Sequence, residues 1–242
     1  MRMRIRSFKT GINNFILNDN QSLAQQSVIV LFTRYPQAGK VKTRLIKHLG
    51  PQGAADLHSL MTKQVISQLR PALAAGSVRS VQLQVYYCGG SKQKIKTWLG
   101  KNSKDIQLAR QQGNDLGDRM QDAFEQTWQQ GAEKVLLIGS DCPGINPSII
   151  TSGLEYLQQH DVVLGPASDG GYYLIGLPAR LKKEKQNYAD LFQNIDWGTD
   201  QVLAQTLTQA HKNNLSFALL PELHDIDRPE DLVHLNYYTN SE

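Results

Sequence analysis

Runs of apolar residues alternate along the chain with segments whose apolar positions recur at helical spacing. Continuous runs occur in SVIVLF at 27–32, VLLI at 135–138 and LSFALL at 215–220. Such runs are typical of strands that are buried on both faces of a parallel sheet. Between 57 and 69, by contrast, the apolar residues follow the period of a helix packed on a sheet, and His58 within it is interpreted as structural. The pattern predicts an α/β protein.

The run at 135–138 ends in Gly139, Ser140 and Asp141. Open α/β sheets bind ligands at the carboxyl ends of their strands, and a carboxylate buried there needs a cation or hydrogen-bond donors. The two small residues let the backbone run close to a ligand. Asp141 is therefore a candidate for a metal or phosphate site, and the alternative is an Asp that caps the next turn.

Four cations follow the first predicted strand, in the segment TRYPQAGKVKTRL. They are Arg34, Lys40, Lys42 and Arg44, and Gly39 shapes the turn between them. Cations at a strand end and at the start of a helix outline an anion site, whereas a solvated basic loop is the alternative. A Walker A loop would need Gly at 34 and Ser or Thr at 41, so Arg34 and Val41 exclude a P-loop ATPase.

Two later glycine-rich turns allow two interpretations each. In QQGNDLGDRM, the interpretations are an ordinary helix capped by Asp115, or a nucleotide-binding turn; the candidate residues are Gly113, Asp115, Gly117 and Arg119. In ASDGGYY, an Asp-Gly pair is typical of a hairpin turn. The two strand-like runs around it should flank the central strand, however, which makes Asp169, Gly170 and Gly171 candidates for the same site.

The segment NIDWGTDQVL precedes another predicted helix. Thr199 is a candidate cap for that helix, and Trp197 is either a core residue or a platform on which a substrate ring stacks. Near the end of the chain, Asp225 and Asp227 lie on the same side of an extended segment. Together with Asp141, these carboxylates suit Mg²⁺ or Mn²⁺ beside substrate phosphates, while the lack of a histidine pair disfavours zinc.

Composition narrows the class of protein. A chain of 242 residues predicts one domain, at 27–242, after a flexible basic leader at 1–26 that carries +3 of the net charge of +4. The remainder is too weakly charged for a nucleic-acid partner. The two cysteines lack C-x-x-C spacing and no apolar stretch is long enough for a membrane span, so a cytoplasmic protein is predicted. A homodimer is possible, and Tyr237 and Tyr238 near the end of the chain are candidates for its contact.

The ordered motifs FTRYPQAGKVKTRL, GNDLGDRM, LIGSDCPGI, GPASDGGYYLIGL, WGTDQVL and DIDRPEDL resemble a bacterial family of glycosyltransferase-like proteins. That family is often labelled nucleotide-diphospho-sugar transferase and is linked in some genomes with arsenosugar biosynthesis. The likeness covers about Val28 to Leu235. It implies a glycosyltransferase-A type fold, with a Rossmann-like, mostly parallel sheet covered by helices on both faces, and a distant kinship with the guanylyl- and cytidylyltransferases of cofactor synthesis.

The resemblance also implies roles for residues. In the wider group, an Asp after a central strand and a later Asp hold the metal, and a loop after the first strand holds phosphates. By position these are Asp141, then Asp227 or Asp225, and the segment 34–44. Many relatives have Lys where this chain has Arg34, a change that keeps the charge and alters the geometry.

We therefore expect a metal-dependent transferase for a nucleotide-activated small molecule. Asp141, Asp169, Lys42 and Arg44 are the predicted catalytic residues. Glycosyl transfer from a nucleoside diphosphate sugar is the first hypothesis. Nucleotidyl transfer from a nucleoside triphosphate, and a non-catalytic nucleotide-binding or scaffold protein, are the alternatives.

Overall fold

The computed structural model describes residues 26–74, 81–184 and 187–235. The predicted leader lies outside these ranges, apart from Gln26, which already belongs to the first strand. Tyr237 and Tyr238 lie outside them as well. The domain boundary and the homodimer stay predictions.

One seven-stranded sheet forms the centre of the described part of the chain. Its strands are β1 Gln26–Arg34, β2 Val81–Cys88, β3 Gln107–Arg110, β4 Ala132–Gly139, β5 Val162–Pro166, β6 Tyr172–Pro178 and β7 Phe217–Leu219. Their order in space is β3-β2-β1-β4-β6-β5-β7. Only β6 among them runs antiparallel to its neighbours, β4 and β5. The predicted mostly parallel α/β sheet is confirmed.

Helices connect the strands. They are α1 Ile46–Ala74, interrupted at Gly50, α2 Lys92–Leu99, α3 Leu116–Gln129, α4 Pro147–Tyr156, α5 Arg180–Lys183 and α6 Val202–Lys212. Short 3₁₀ turns occupy Thr43–Leu45, Gly100–Ser103, Tyr188–Phe192 and Pro229–His234. None of the helices in the described ranges is long and apolar enough to cross a membrane.

The strand β1 shows why the sheet is covered on both faces. Ile29 and Leu31 belong to one core cluster, which includes apolar residues of α1, α2 and α4. Val28 and Val30 point the other way, into a second cluster with residues of α3 and of the turn Tyr188–Phe192. Because successive side chains alternate between the faces, a continuous apolar run is needed to fill both cores.

The hairpin between β5 and β6 explains the single antiparallel strand. The chain reverses through 167–171, and β6 then pairs directly with β4, with Leu136 opposite Gly176. Of the two runs around Asp169, β6 borders the central strand as predicted, whereas β5 lies one strand further out. The hairpin turn at 167–171 therefore also places Asp169 near the end of β4.

Strand order reverses around β1, with β2 on one side and β4 on the other. The chain leaves β1 toward β2 on one side and leaves β4 toward β5 on the other, so the segments after these two strand ends separate and leave a crevice between them. Such a switch point is where open α/β sheets bind ligands. The segments after these two ends contain the basic loop and Asp141.

Candidate functional site

A cavity of about 640 Å³ opens at the carboxyl ends of β1 and β4. It brings together residues from segments that are far apart along the chain. The predicted site residues that line it are Arg34, Lys40, Lys42, Arg44, Ser140, Asp141, Asp169, Gly171, Trp197, Thr199, Asp225 and Asp227. All the predicted catalytic residues and all the predicted metal ligands are in this set, although their chemical roles stay predictions.

Lys42 is the most constrained residue of the basic loop. Its backbone is left-handed, with φ 45° and ψ 46°, a conformation that is rare for residues other than glycine. Its side chain is only 3% exposed, and its Nζ lies 2.9 Å from Asp141 Oδ1 and 3.7 Å from Asp227 Oδ1. The loop therefore directs one ammonium group between two carboxylates.

Asp141 and Asp227 come from distant segments that are joined by the backbone. Ile226 donates its N–H to the carbonyl oxygen of Asp141 at 3.0 Å, which holds the segment 225–227 against the end of β4. Arg44 donates to the second oxygen of Asp227 at 2.7 Å. The predicted convergence of carboxylates opposite a cationic loop is present.

The carboxylate of Asp141 is 52% exposed and faces the cavity. Desolvation works to raise the pKa of this carboxyl, but the positive charge of Lys42 outweighs it and holds the pKa below its ordinary value. Asp141 is consequently ionised at neutral pH. It can accept a cation or a hydrogen-bond donor from a ligand.

The predicted set of three metal ligands is not assembled as a cluster. No three His, Cys, Asp or Glu side chains within residues 26–74, 81–184 and 187–235 are placed to hold a metal ion together. Asp225 accepts a hydrogen bond from Ser168 Oγ at 3.4 Å. Burial and the neighbouring charges of Asp169 and Asp231 raise the pKa of Asp225 to about 6. Asp141 and Asp227 remain the pair with suitable oxygens, since Mg²⁺ often takes one or two carboxylates and completes its shell with phosphates and water.

The interpretation of His58 as merely structural misses its place in the site. Its Nδ1 lies 3.9 Å from Asp141 Oδ1, while Nε2 lies 2.9 Å from the carbonyl oxygen of Arg34. The ring stacks on Trp98. Burial lowers the pKa of His58, which favours the neutral ring with Nε2 as the donor. The signal was available, since His58 and Thr62 are polar residues four apart on an otherwise apolar helix face.

The turn before α3 is an ordinary helix cap. Asp115 accepts from the N–H of Asp118 at 2.8 Å, and Arg119 Nε donates to the carbonyl of Gly113 at 3.1 Å. A Cβ on Gly117 would lie 2.5 Å from the carbonyl oxygen of Phe192, so this glycine allows close packing. The four candidates from this turn are absent from the cavity lining, which includes Leu116 instead.

Gly39 and Gly170 also lie outside the lining and serve as turn residues with positive φ, 75° and 86°. Gly170 has an additional role, because a Cβ there would lie 2.3 Å from the carbonyl oxygen of Asp200. The next residue, Gly171, donates its N–H to Asp169 Oδ1 at 2.8 Å. This turn fixes the direction of the Asp169 side chain at the cavity.

Trp197 combines both of its predicted alternatives. It is half-buried against the second core cluster and also lines the cavity. Thr199 accepts a hydrogen bond from the N–H of Gln201 at 3.3 Å, but α6 begins only at Val202. The predicted cap is therefore wrong in position, since Thr199 stabilises the turn before the helix.

A second cavity of about 400 Å³ adjoins the first. The residues that line both cavities, and so form the boundary between them, are Arg44, Asp169, Gly198, Thr199, Asp225 and Asp227. Ser168, Asp200, Arg228 and Asp231 complete the lining of the second cavity. Sequence reasoning did not identify this chamber, because its walls are loops that are far apart along the chain.

Comparisons with known proteins identify relatives of the chain. The profile of a family described as "Uncharacterized protein conserved in bacteria (DUF2064)" matches residues 68–199. A solved structure from Desulfovibrio desulfuricans G20, provisionally described as a nucleotide-diphospho-sugar transferase, is 34% identical with a TM-score of 0.73. The match covers 89% of this chain and 88% of that one. No curated protein matches the chain.

More distant structures share the fold. CMP:2-keto-3-deoxy-manno-octonic acid synthetase, solved with CTP, is 12% identical with a TM-score of 0.53, over 88% of this chain and 98% of its own. Rv0371C of Mycobacterium tuberculosis H37Rv, solved with manganese, is 13% identical with a TM-score of 0.50, over 87% and 97%. These two likenesses show the fold alone, and the arsenosugar link stays a prediction.

Proposed function

Since the chain belongs to the bacterial family DUF2064, we propose that it is a transferase that binds a nucleotide-activated substrate, and that the reaction is glycosyl transfer from a nucleoside diphosphate sugar. The observation that carries the proposal is the meeting of Lys42 and Arg44 with Asp141 and Asp227 at the switch point of the sheet. The description of the 34% identical relative, a nucleotide-diphospho-sugar transferase, supports the same reaction class.

The donor fits the larger cavity. Its diphosphate would contact the cations of the basic loop, of which Arg34 and Lys40 also line the cavity. Trp197 offers a half-buried aromatic surface for a base or a sugar ring. The distantly related synthetase that was solved with CTP supports a nucleotide in this type of fold.

Mg²⁺ or Mn²⁺ belongs to the proposal as a cofactor held by Asp141 and Asp227. The chemistry of the donors fits, because hard divalent ions prefer carboxylate oxygens and substrate phosphates. The manganese complex of a distant relative supports this choice. When bound, the ion neutralises charge on the diphosphate.

The acceptor fits the smaller cavity, beyond the boundary formed by Asp169 and Asp225. In the transfer, the bond between the sugar carbon and the diphosphate oxygen breaks, and a bond from the acceptor oxygen to that carbon forms. Asp169 orients the acceptor hydroxyl and takes its proton, because it lines both cavities. Lys42 and Arg44 stabilise the departing diphosphate.

Nucleotidyl transfer is the second candidate, and one observation favours it. Four loop cations line or adjoin a single cavity, which suits the larger charge of a triphosphate. In that reaction a phosphorylated acceptor would attack the first phosphate and release pyrophosphate. A non-catalytic nucleotide-binding protein is the third candidate, and it predicts binding without turnover.

The test is the melting temperature with nucleotides. UDP- or GDP-sugars with Mn²⁺ are expected to raise the melting temperature of the wild type and not that of Asp141→Asn. Asp56→Asn is a matched control, because Asp56 is exposed on α1 and outside the cavity. The absence of any shift with all nucleotides would contradict the proposal. Release of pyrophosphate from nucleoside triphosphates would favour nucleotidyl transfer.

A further inference from the structure

We propose that Lys42 is a placeholder cation: in the free protein its ammonium neutralises Asp141 and Asp227, and it turns to the substrate phosphate when a divalent ion takes its place. The metal half of this inference stands on the geometry of the described residues. The phosphate half rests on the proposed function.

The position of Lys42 is strongly determined. The residue adopts a left-handed backbone conformation, and such a conformation in a residue with a side chain persists only where the surroundings enforce it. The side chain is buried, and its Nζ is close to one oxygen of each carboxylate, at 2.9 Å and 3.7 Å. An ion held by both carboxylates would need this same space.

The hydrogen bonding of Lys42 is incomplete. An ammonium group has three donors. Within the described ranges, Nζ makes ion pairs but no hydrogen bond of good geometry. Buried donors without well-aligned acceptors are costly, so the group gains from an acceptor that enters the cavity. A phosphate oxygen is the acceptor that its charge favours.

The charges explain why a metal ion alone would bind weakly. Lys42 and Arg44 together balance Asp141 and Asp227, and Arg44 is 55% exposed and therefore screened. His58, the other titratable group beside Asp141, has its Nδ1 3.9 Å from Asp141 Oδ1, further away than Lys42 Nζ. A divalent ion that enters while Lys42 is in place meets a buried like charge. Once a phosphate draws Lys42 away, the two carboxylates repel each other and attract the ion.

The inference predicts that the metal and the phosphate enter together. Without a phosphate, Mn²⁺ has to displace a paired ammonium group from a low-dielectric position. With a phosphate, the displaced ammonium gains a new partner. Lys42 would then couple metal binding to phosphate binding and favour phosphorylated ligands.

The experiment is a titration of the protein with Mn²⁺ in the absence of any nucleotide. Electron paramagnetic resonance measures the concentration of the free ion at each step. Lys42→Met is expected to bind Mn²⁺ at least about tenfold more tightly than the wild type, because two unpaired carboxylates remain. The gain is expected to disappear when Asp141→Asn is added. Lys40→Met is the matched control, since Lys40 belongs to the same loop and forms no ion pair with either carboxylate in the described part of the chain.

A gain of less than tenfold in a folded Lys42→Met variant would overturn the inference. If that variant does not fold, the wild type decides: a dissociation constant for Mn²⁺ alone weaker than about 0.1 mM supports the inference, and a tighter one overturns it. These readouts involve neither nucleotide nor turnover. Their failure is therefore distinguishable from failure of the proposed transferase function.

Discussion

The pKa values of single carboxyl groups in the site differ because their neighbours differ. Asp141 faces Lys42, which keeps its carboxyl ionised, whereas Asp225 is partly buried beside other carboxylates. Two groups of the same chemical type are thus driven in opposite directions. Such separation is common at functional sites, although structural ion pairs produce it as well.

The raised pKa of Asp225 predicts a pH-dependent effect on stability. Its folded-state pKa of about 6 exceeds the ordinary 3.8, so ionisation destabilises the folded state as the pH rises from about 4 to above 6. Asp225→Asn removes this cost. After allowance for solvent screening, we expect a gain of about 1 kcal/mol at pH 8, or roughly 2–4 °C in melting temperature.

The measurement is the melting temperature of Asp225→Asn and of the wild type at about pH 4 and pH 8. The difference is expected to shrink strongly at the lower pH, which is close to the ordinary pKa of 3.8, because ionisation of Asp225 costs the folded state little there. An equal difference at both values would show that the carboxyl charge is not the cause. Asp56→Asn serves as the control for a lost surface charge.

At the scale of elements, two glycines in turns allow the cost of a steric clash to be separated from the cost of backbone strain. Gly170 and Gly198 have nearly equal φ angles, 86° and 85°. A Cβ at 170 would clash with the backbone of Asp200, whereas a Cβ at 198 would meet no atom within 4 Å. Both substitutions by Ala introduce similar strain, and only Gly170→Ala adds the clash.

We therefore expect Gly170→Ala to destabilise the protein by about 1–3 kcal/mol more than Gly198→Ala. Denaturant unfolding of the two variants measures the difference directly. Equal free energies of unfolding would show that the backbone around Asp200 can move away from a Cβ at 170 at little cost. In that case the turn would not fix Asp169.

Substitutions at Asp115 distinguish the two interpretations of the glycine-rich turn before α3. Asp115→Ala removes the cap and is expected to cost about 1 kcal/mol of stability, while Asp115→Ser retains it. Nucleotide binding by both variants is expected to match that of the wild type. Loss of nucleotide affinity in Asp115→Ala at unchanged fold would restore the nucleotide-binding interpretation of this turn.

The sequence predicted the strands and helices better than it predicted which of them lie next to each other. β1 and β4 follow from continuous apolar runs, and α1 follows from helical spacing, since both are local patterns. The Asp-Gly pair at 169–170 indicates the hairpin from β5 into β6, whereas the position of β5 beyond β6 depends on distant contacts and has no local signal. Gln84 alternates with apolar residues along β2, a pattern typical of a polar face, yet it is 2% exposed and its amide donates to Gln130.

The candidate site was predictable in its residues and not in its contacts. Asp141, Asp227 and the loop cations follow from strand ends and charge. The ion pair of Lys42 with Asp141 depends on a left-handed backbone at Lys42, for which a non-glycine residue gives no sequence signal. His58 was visible as a polar residue on an apolar helix face, but its partners come from β1 and from the segment after β4 and not from its own helix.

At the scale of the whole molecule, the fold is shared more widely than any one reaction. Distant structures with the same sheet include a synthetase solved with CTP and a protein solved with manganese. Function therefore has to be argued from the site and not from the fold. The cytoplasmic location, the oligomeric state and the identity of the acceptor stay predictions.

The most direct test is a crystal structure with a nucleoside diphosphate sugar and Mn²⁺. The account predicts that the diphosphate lies within hydrogen-bond reach of Lys42 and Arg44, that Mn²⁺ bridges it to Asp141 and Asp227, and that Lys42 Nζ has moved off Asp141. A nucleotide bound outside the cavity between residues 34–44 and Asp141, or a diphosphate remote from both Lys42 and Asp141, would contradict it.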